Sequence, residues 1–543
     1  MSKFLLISII FVLTRWTLGG PTVTIPQGSL EGGEGQDIDG NQFYKFLGIP
    51  YAKPPVGDLR FKEPVNAESW EGVRNATVEG SSCVQKSGGS EDCLYLNVYT
   101  RNLPTENSTD LKAVMVWIHG GSFTSGSGSP TIYGPEFLLT EDVIVVSINY
   151  RLGLLGFIRF KNESLGVPGN MGFKDQVKAL EWVQNNIVYF NGDPNNVTIF
   201  GESAGSASVH YHVLSPLSIE FFQKAILQSG AALDSWADDS DHDPIALAQL
   251  LNPLTTITSE SEALSIFQQL SAEAIFVVQS LLLLNETSGS KKSIGLSIEP
   301  PSPTAFISRN PIDIITSGEY NQVPLIIGYN NREGILFNAE RKQYNIEAKP
   351  EYFVPHNVDF YGNETERQYY LDKIQEKYLS GSNDDDNVID VMTDAYFVAG
   401  IIGSAQNHAR TSASNVYLYK LSLDTQLNFM KIYYGLTEFW GASHGDDLGY
   451  LFKTLLNTTI ESGSVEETSL RRLVKLWTNF AKYDNPTPEL EDVGITWPAV
   501  SAEQLNTLHI DANLTVEVNP ESETVEFWKE LFQQSNITSE YLH

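Results

Sequence analysis

The sequence predicts an α/β protein built on a large, mostly parallel sheet with helices on both faces and a small antiparallel sheet at the N-terminus. Three observations carry this. The runs 113–118 (AVMVWI) and 143–148 (VIVVSI) are continuously apolar, as strands covered on both faces require. Phe173, Val177, Leu180, Val183 and Ile187 recur at helical spacing, and the turn residues at 191–194 (NGDP) end that helix before the β-prone run 197–200 (VTIF), which makes a strand-helix-strand crossover. Buried-strand candidates follow at 225–228, 323–329 and 416–421, with amphipathic helices among them and two more at 470–482 and 524–533. Ahead of these, 21–51 holds short β-type runs separated by glycine turns, and 92–99 alternates with period two, so both read as flanking strands.

No linker, single-charge run or internal repeat divides the 543 residues, so 20–543 reads as one domain. The formal charge of −32 repels nucleic acid and anionic membranes, so neither is an expected partner. Residues 1–19 combine one early cation, an apolar stretch at 4–13 and small residues at Thr17 and Gly19. They read as a signal peptide cleaved after Gly19, too short to span a bilayer, and the protein is expected to be secreted. In an oxidising compartment the only two cysteines, Cys83 and Cys93, are expected to pair and to staple the short loop between them. Sequons at Asn75, Asn107, Asn162, Asn196, Asn285, Asn363, Asn457, Asn513 and Asn536 fit the same route and mark surface segments; Asn196 is the least secure, because it abuts a predicted core strand.

That strand, 197–200, runs straight into Gly201-Glu202-Ser203-Ala204-Gly205 and then into a small-residue helix pattern. A turn this sharp leaves no room for Cβ atoms beside its apex, which accounts for Gly201 and Gly205, and it projects the Ser203 hydroxyl from the sheet edge. A serine hydroxyl becomes a nucleophile only when an imidazole takes its proton and a carboxylate holds that imidazole. Among the histidines after Ser203, only His444 stands in a glycine-framed loop, Gly441-Ala442-Ser443-His444-Gly445, behind the 416–421 strand. Glu333 follows directly on the 323–329 strand; Glu340 and Asp313 lack that placement. The third requirement is a set of amide donors for an oxyanion, and His119-Gly120-Gly121-Ser122-Phe123 follows the 113–118 strand with small residues able to expose them, Ala204 adding another. No metal or cofactor is called for: His210 and His212, two apart, leave different sides of a helix.

On these residues, together with FLGIPYAKPPVGDLRF at 46–61, EDCLYLNVY at 91–99, NYRLGLLGF at 149–157, GNMGFKDQ at 169–176 and GASHGDDLGYLF at 441–452, the chain resembles the type-B carboxylesterase/lipase family, which includes cholinesterases and insect esterases. The resemblance implies an α/β-hydrolase fold and hydrolysis of small carboxylic esters without a cofactor. It implies a triad of Ser203, Glu333 and His444 and an oxyanion hole from the amides of Gly121, Ser122 and Ala204, with Gly120 and Glu202 beside them. Trp236 resembles the aromatic residue that bounds the acyl pocket in insect esterases. Cholinesterases bind choline on a tryptophan within the loop closed by the family's first disulfide, and the loop 84–92 here has no aromatic residue, so cation–π capture of choline is unsupported. Juvenile hormone esterases usually carry Gln where this chain has Glu202, which favours a general esterase over a specialised hormone or odorant esterase. An inactive binding protein on the same fold would not retain all these groups.

Overall fold

The computed structural model describes residues 19–105, 110–283, 292–355, 358, 360, 362–380, 384–456, 459–491, 493–533 and 542. The expected signal peptide, save Gly19, and the sequons Asn107, Asn285, Asn457 and Asn536 lie outside the described residues.

Fourteen strands form two sheets among these residues: β1 (Thr22–Ile25), β2 (Gly28–Glu31), β3 (Gly33–Gln36), β4 (Gln42–Pro50), β5 (Val73–Asn75), β6 (Tyr95–Thr100), β7 (Lys112–Ile118), β8 (Ile144–Ile148), β9 (Gly192–Glu202), β10 (Lys224–Gln228), β11 (Leu325–Asn330), β12 (Val416–Leu421), β13 (Asn506–Ile510) and β14 (Leu514–Val518). The large sheet has the order β14-β13-β12-β11-β10-β9-β7-β8-β6-β4-β3. Its seven consecutive strands from β13 to β8 are parallel, and antiparallel strands close both edges. The hairpin β13–β14 was not among the expected strands, because its short apolar stretches are interrupted by His509 and Glu517.

The N-terminal region corrects the expectation in one respect. The small sheet is β1-β2-β5, in which β2 pairs antiparallel with β1 and parallel with β5, so it is mixed. β3 and β4 belong to the large sheet instead. The reason lies in β4, which sends Phe43 and Leu47 into one core and Phe46 and Ile49 into another, so it must be covered on both faces.

The same alternation explains the central strands. Val114, Val116 and Ile118 of β7 enter the core on one face, while Ala113, Met115 and Trp117 enter the core on the other. The helix Val465–Tyr483 covers the second face with Leu470, Leu473, Val474, Trp477 and Phe480; Ser464 caps its start by accepting from Glu467 N–H. Cys83 and Cys93 form a disulfide. Asn75, Asn162, Asn363 and Asn513 are exposed, whereas Asn196 is half-buried and its side-chain oxygen accepts from the buried Lys224 ammonium.

β9 and the helix Ala204–Leu214 meet against the end of β7 with no spare room. A Cβ on Gly205 would lie 2.1 Å from the Ile118 carbonyl oxygen, and one on Gly201 would lie 2.6 Å from the same atom. Ile118 pairs with Gly201 across the sheet, so that oxygen cannot retreat without parting β7 from β9. Gly205→Ala is therefore expected to cost more than the roughly 1–3 kcal/mol of ordinary overpacking. Thermal denaturation checks this; a melting temperature equal to that of the unsubstituted protein would contradict the packing.

Candidate active site

The expected groups converge at the carboxyl ends of parallel strands, where open α/β sheets bind ligands. Ser203 turns the chain from β9 into the following helix with φ 59° and ψ −125°, a conformation that costs a non-glycine residue on the order of 1–3 kcal/mol. Its neighbours hold it there: Ser203 N–H donates to Gln228 O, and Ser203 O accepts from Ala207 N–H, each at 2.9 Å.

β11 ends at Asn330, and Glu333 folds back so that its Oε1 accepts from Asn330 N–H at 2.7 Å. Its Oε2 accepts from His444 Nδ1 at 2.7 Å, with Glu333 fully buried. The histidine loop is fixed to the acid's loop along its length. Arg332 N–H donates to Ala442 O at 2.9 Å, Ala442 N–H to Asn331 Oδ1 at 2.8 Å, and Asn330 Nδ2 to Ser443 O at 2.8 Å. The structure therefore joins Glu333 to His444 directly. It does not bond His444 to Ser203: among the described residues the Ser203 hydroxyl has no hydrogen-bond partner. The free ring nitrogen Nε2 instead lies 3.2 Å from Glu202 Oε1.

The imidazole thus sits between two buried carboxyls. Burial pushes Glu202 up to about 8, with His444 pulling the other way and Asp447 and Glu333 adding to the rise. For His444, burial disfavours the charged ring, but Glu202 and Glu333 outweigh it and raise the imidazole to about 9. Phe397 and Phe337 pack on the ring with centroid distances of 4.8 and 5.2 Å. Trp236 touches Phe397 at 5.9 Å and donates its indole N–H to Tyr396 O, which places it beside this cluster.

The glycine loop lies against the serine. A Cβ on Gly120 would stand 2.6 Å from Glu202 O and 3.0 Å from Ser203 Cβ. Gly121, Ser122 and Phe123 have φ of 108°, 53° and 59°, a left-handed run that glycine and few others tolerate. The Gly121 carbonyl takes the N–H groups of Thr124 and Ser125, both at 3.0 Å, and the Gly121 and Ser122 amides make no hydrogen bond among the described residues. Ala204 opens its helix, where amides lack intrahelical acceptors.

Sequence reasoning missed several supports. Asp447 accepts from Gln228 Nε2 at 2.5 Å, and Gln228 in turn accepts from Trp477 Nε1 at 3.1 Å, tying the histidine loop to the covering helix. His119 stacks on Tyr150 at 4.5 Å and donates from Nδ1 to Gly120 O; burial, against that bond, lowers it to about 4 and keeps it neutral. Its place at the head of the glycine run was the available signal. Phe337 and Phe397 come from separate helices and offered none.

A family model described as the carboxylesterase family matches residues 19–528. The chain is 34% identical over 505 residues to Esterase FE4 of Myzus persicae, covering 89% of this chain and 87% of that one. It is 33% identical over 555 residues to the juvenile hormone esterase of Tribolium castaneum, covering 92% and 90%. The crystal structure of juvenile hormone esterase from Manduca sexta, with OTFP covalently attached, superposes with a TM-score of 0.83 at 30% identity, over 94% of this chain and 99% of that one.

The electrostatics make a direct prediction. Glu202→Gln removes one of the carboxylates flanking the imidazole, so His444 should lose its proton at lower pH, by about one to three pH units. An NMR titration of the histidine ring signals measures this, and an unmoved midpoint would mean that Glu202 does not act on the ring.

Proposed function

Because this chain belongs to the carboxylesterase family and is a carboxylic-ester hydrolase, we propose that it works through an acyl-enzyme on Ser203. Ser203 Oγ attacks the ester carbonyl carbon while His444 Nε2 takes its proton, and Glu333 holds the ring and stabilises its charge. The amides of Gly121, Ser122 and Ala204 receive the oxyanion; one such donor is worth roughly 3–4 kcal/mol in the transition state. The imidazolium returns its proton to the departing alcohol oxygen, and a water activated by the same ring then releases the carboxylic acid. The 2.7 Å bond between Glu333 and His444 is the observation that carries this reading. The serine–imidazole contact is one that forms with substrate in place, as catalytic hydrogen bonds often tighten only in the complex.

A signal peptide at 1–19, a disulfide and exposed sequons support secretion, with cleavage after Gly19. A second reading, hydrolysis of a juvenile hormone, is favoured by the relatives of that name. The discriminating assay compares kcat/KM on a juvenile hormone with that on short aryl esters.

Three outcomes test the mechanism. A fluorophosphonate should add one adduct at Ser203 and none to Ser203→Ala, which should also lose about 10⁴-fold or more in kcat. The base acts as neutral imidazole, and its neighbours hold the proton until about pH 9, so kcat/KM should rise through the alkaline range. Full activity in Ser203→Ala, or a pH-independent rate, would reject the scheme.

A further inference from the structure

The segment 428–431 buttresses the histidine loop. Asn428 Nδ2 donates to Asp446 Oδ2 at 3.0 Å, Lys431 N–H donates to Asp446 Oδ1 at 2.9 Å, and the buried Lys431 ammonium donates to Gly441 O at 2.8 Å. Asp446 also accepts from Ser443 N–H at 2.6 Å, so the chain on both sides of His444 is tied to this segment. Between the tethers stands Met430, on the helix Phe429–Tyr434. Its side chain lies over Gly445, the residue after His444: a Cβ built there would meet Met430 Cγ at 2.8 Å and Met430 Cε at 3.3 Å. The sulfur is bonded to both of those carbons, so it shares that contact. Glu202 Oε1 lies 3.3 Å from the same Cβ position, and this oxygen is 3.2 Å from His444 Nε2. The thioether, the Glu202 carboxyl and the imidazole therefore crowd around one glycine.

Exposure sets this methionine apart. Among the described residues Met115, Met171 and Met392 are at most 1% exposed, whereas Met430 packs on the core with part of its surface open. With the two cysteines already joined, a partly open thioether is the side chain most readily oxidised by two electrons. We propose that Met430 is a site of reversible oxidation that lowers the rate of ester hydrolysis. The oxidant is a hydroperoxide, of which hydrogen peroxide is the simplest. A sulfur lone pair attacks one peroxide oxygen, the O–O bond breaks as the S–O bond forms, and the other oxygen leaves as water after proton transfer. The thioether loses two electrons and the peroxide gains them. The product is wider and polar where the thioether was slim and apolar. Room for the added oxygen has to come from Gly445 or from Glu202, and His444 is joined to both: it precedes Gly445 in the chain and faces Glu202 through Nε2. The ring then leaves the position in which Glu333 holds it, and an error of about 1 Å in a reacting group can cost on the order of 10²-fold in rate. That loss of rate rests on the reading of His444 as the working base; the place of oxidation does not.

The test treats the whole protein with graded hydrogen peroxide, maps the added oxygen by peptide mass spectrometry and follows hydrolysis of an aryl acetate in the same samples. One oxygen should appear on Met430 ahead of any on Met115, Met171 or Met392, and kcat should fall in step with it, about tenfold or more at full conversion. Met430→Leu, a nearly volume-conserving change, should hold its own untreated rate through the same exposure. Methionine sulfoxide reductases A and B together, one for each sulfoxide epimer, should restore the oxidised protein. Oxygen that appears first on a buried methionine, an unchanged rate with Met430 fully oxidised, or equal inactivation of Met430→Leu overturns the proposal. Selective oxidation of Met430 in a protein whose hydrolysis survives Ser203→Ala would reject the acyl-enzyme mechanism alone.

Discussion

Everything at the site depends on keeping a histidine ring buried between two carboxyls. A buried imidazole would ordinarily lose its affinity for a proton, yet His444 is raised because Glu333 bonds one nitrogen and Glu202 stands 3.2 Å from the other. This is a strong pull on one proton, the property that the proposed base needs. The cost is a site crowded with acids: Glu202 is pushed up by burial and by Asp447 and Glu333, and Asp447 by burial and by Glu333.

The fold exists to hold those acids at fixed separations. Glu202 ends β9, Glu333 and the loop of His444 follow β11 and β12 of the same parallel block, and the register across β9, β10, β11 and β12 sets where each segment leaves the sheet. Rigidity comes from the bonds between loops, chiefly those of Asn330, Asn331 and Arg332 to residues 442–443, and from Gln228, which joins the histidine loop to Trp477 on the covering helix. The aromatic side comes from the π-helical turn Asp394–Val398, whose Phe397 packs on His444 and whose Tyr396 carbonyl holds the Trp236 indole.

Local patterns made much of this legible. The continuous apolar runs named the core strands because a strand buried on both faces has no polar side to show, and the strand-turn-helix around Ser203 was readable from two glycines whose Cβ atoms would strike Ile118. Glu333 and His444 stood out by following strands, and the structure bonds them. What stayed hidden was set by distant contacts. Nothing local says that Val73–Asn75 adds parallel to β2, that Phe337 and Phe397 meet on one imidazole, or that Gln228 bridges Asp447 and Trp477. Glu202 was placed near the site from its position before the serine, but its contact with His444 is a product of the turn's backbone angles, which a motif does not spell out.

The central claim is that the serine becomes transiently esterified while the ring beside it handles the proton. Rapid acid quenching of turnover on an aryl acetate, followed by peptide mass spectrometry, reads this directly. The account predicts one acetyl group on the peptide that contains Ser203; ester hydrolysis that proceeds with that peptide unmodified, or with the acetyl group elsewhere, would contradict it.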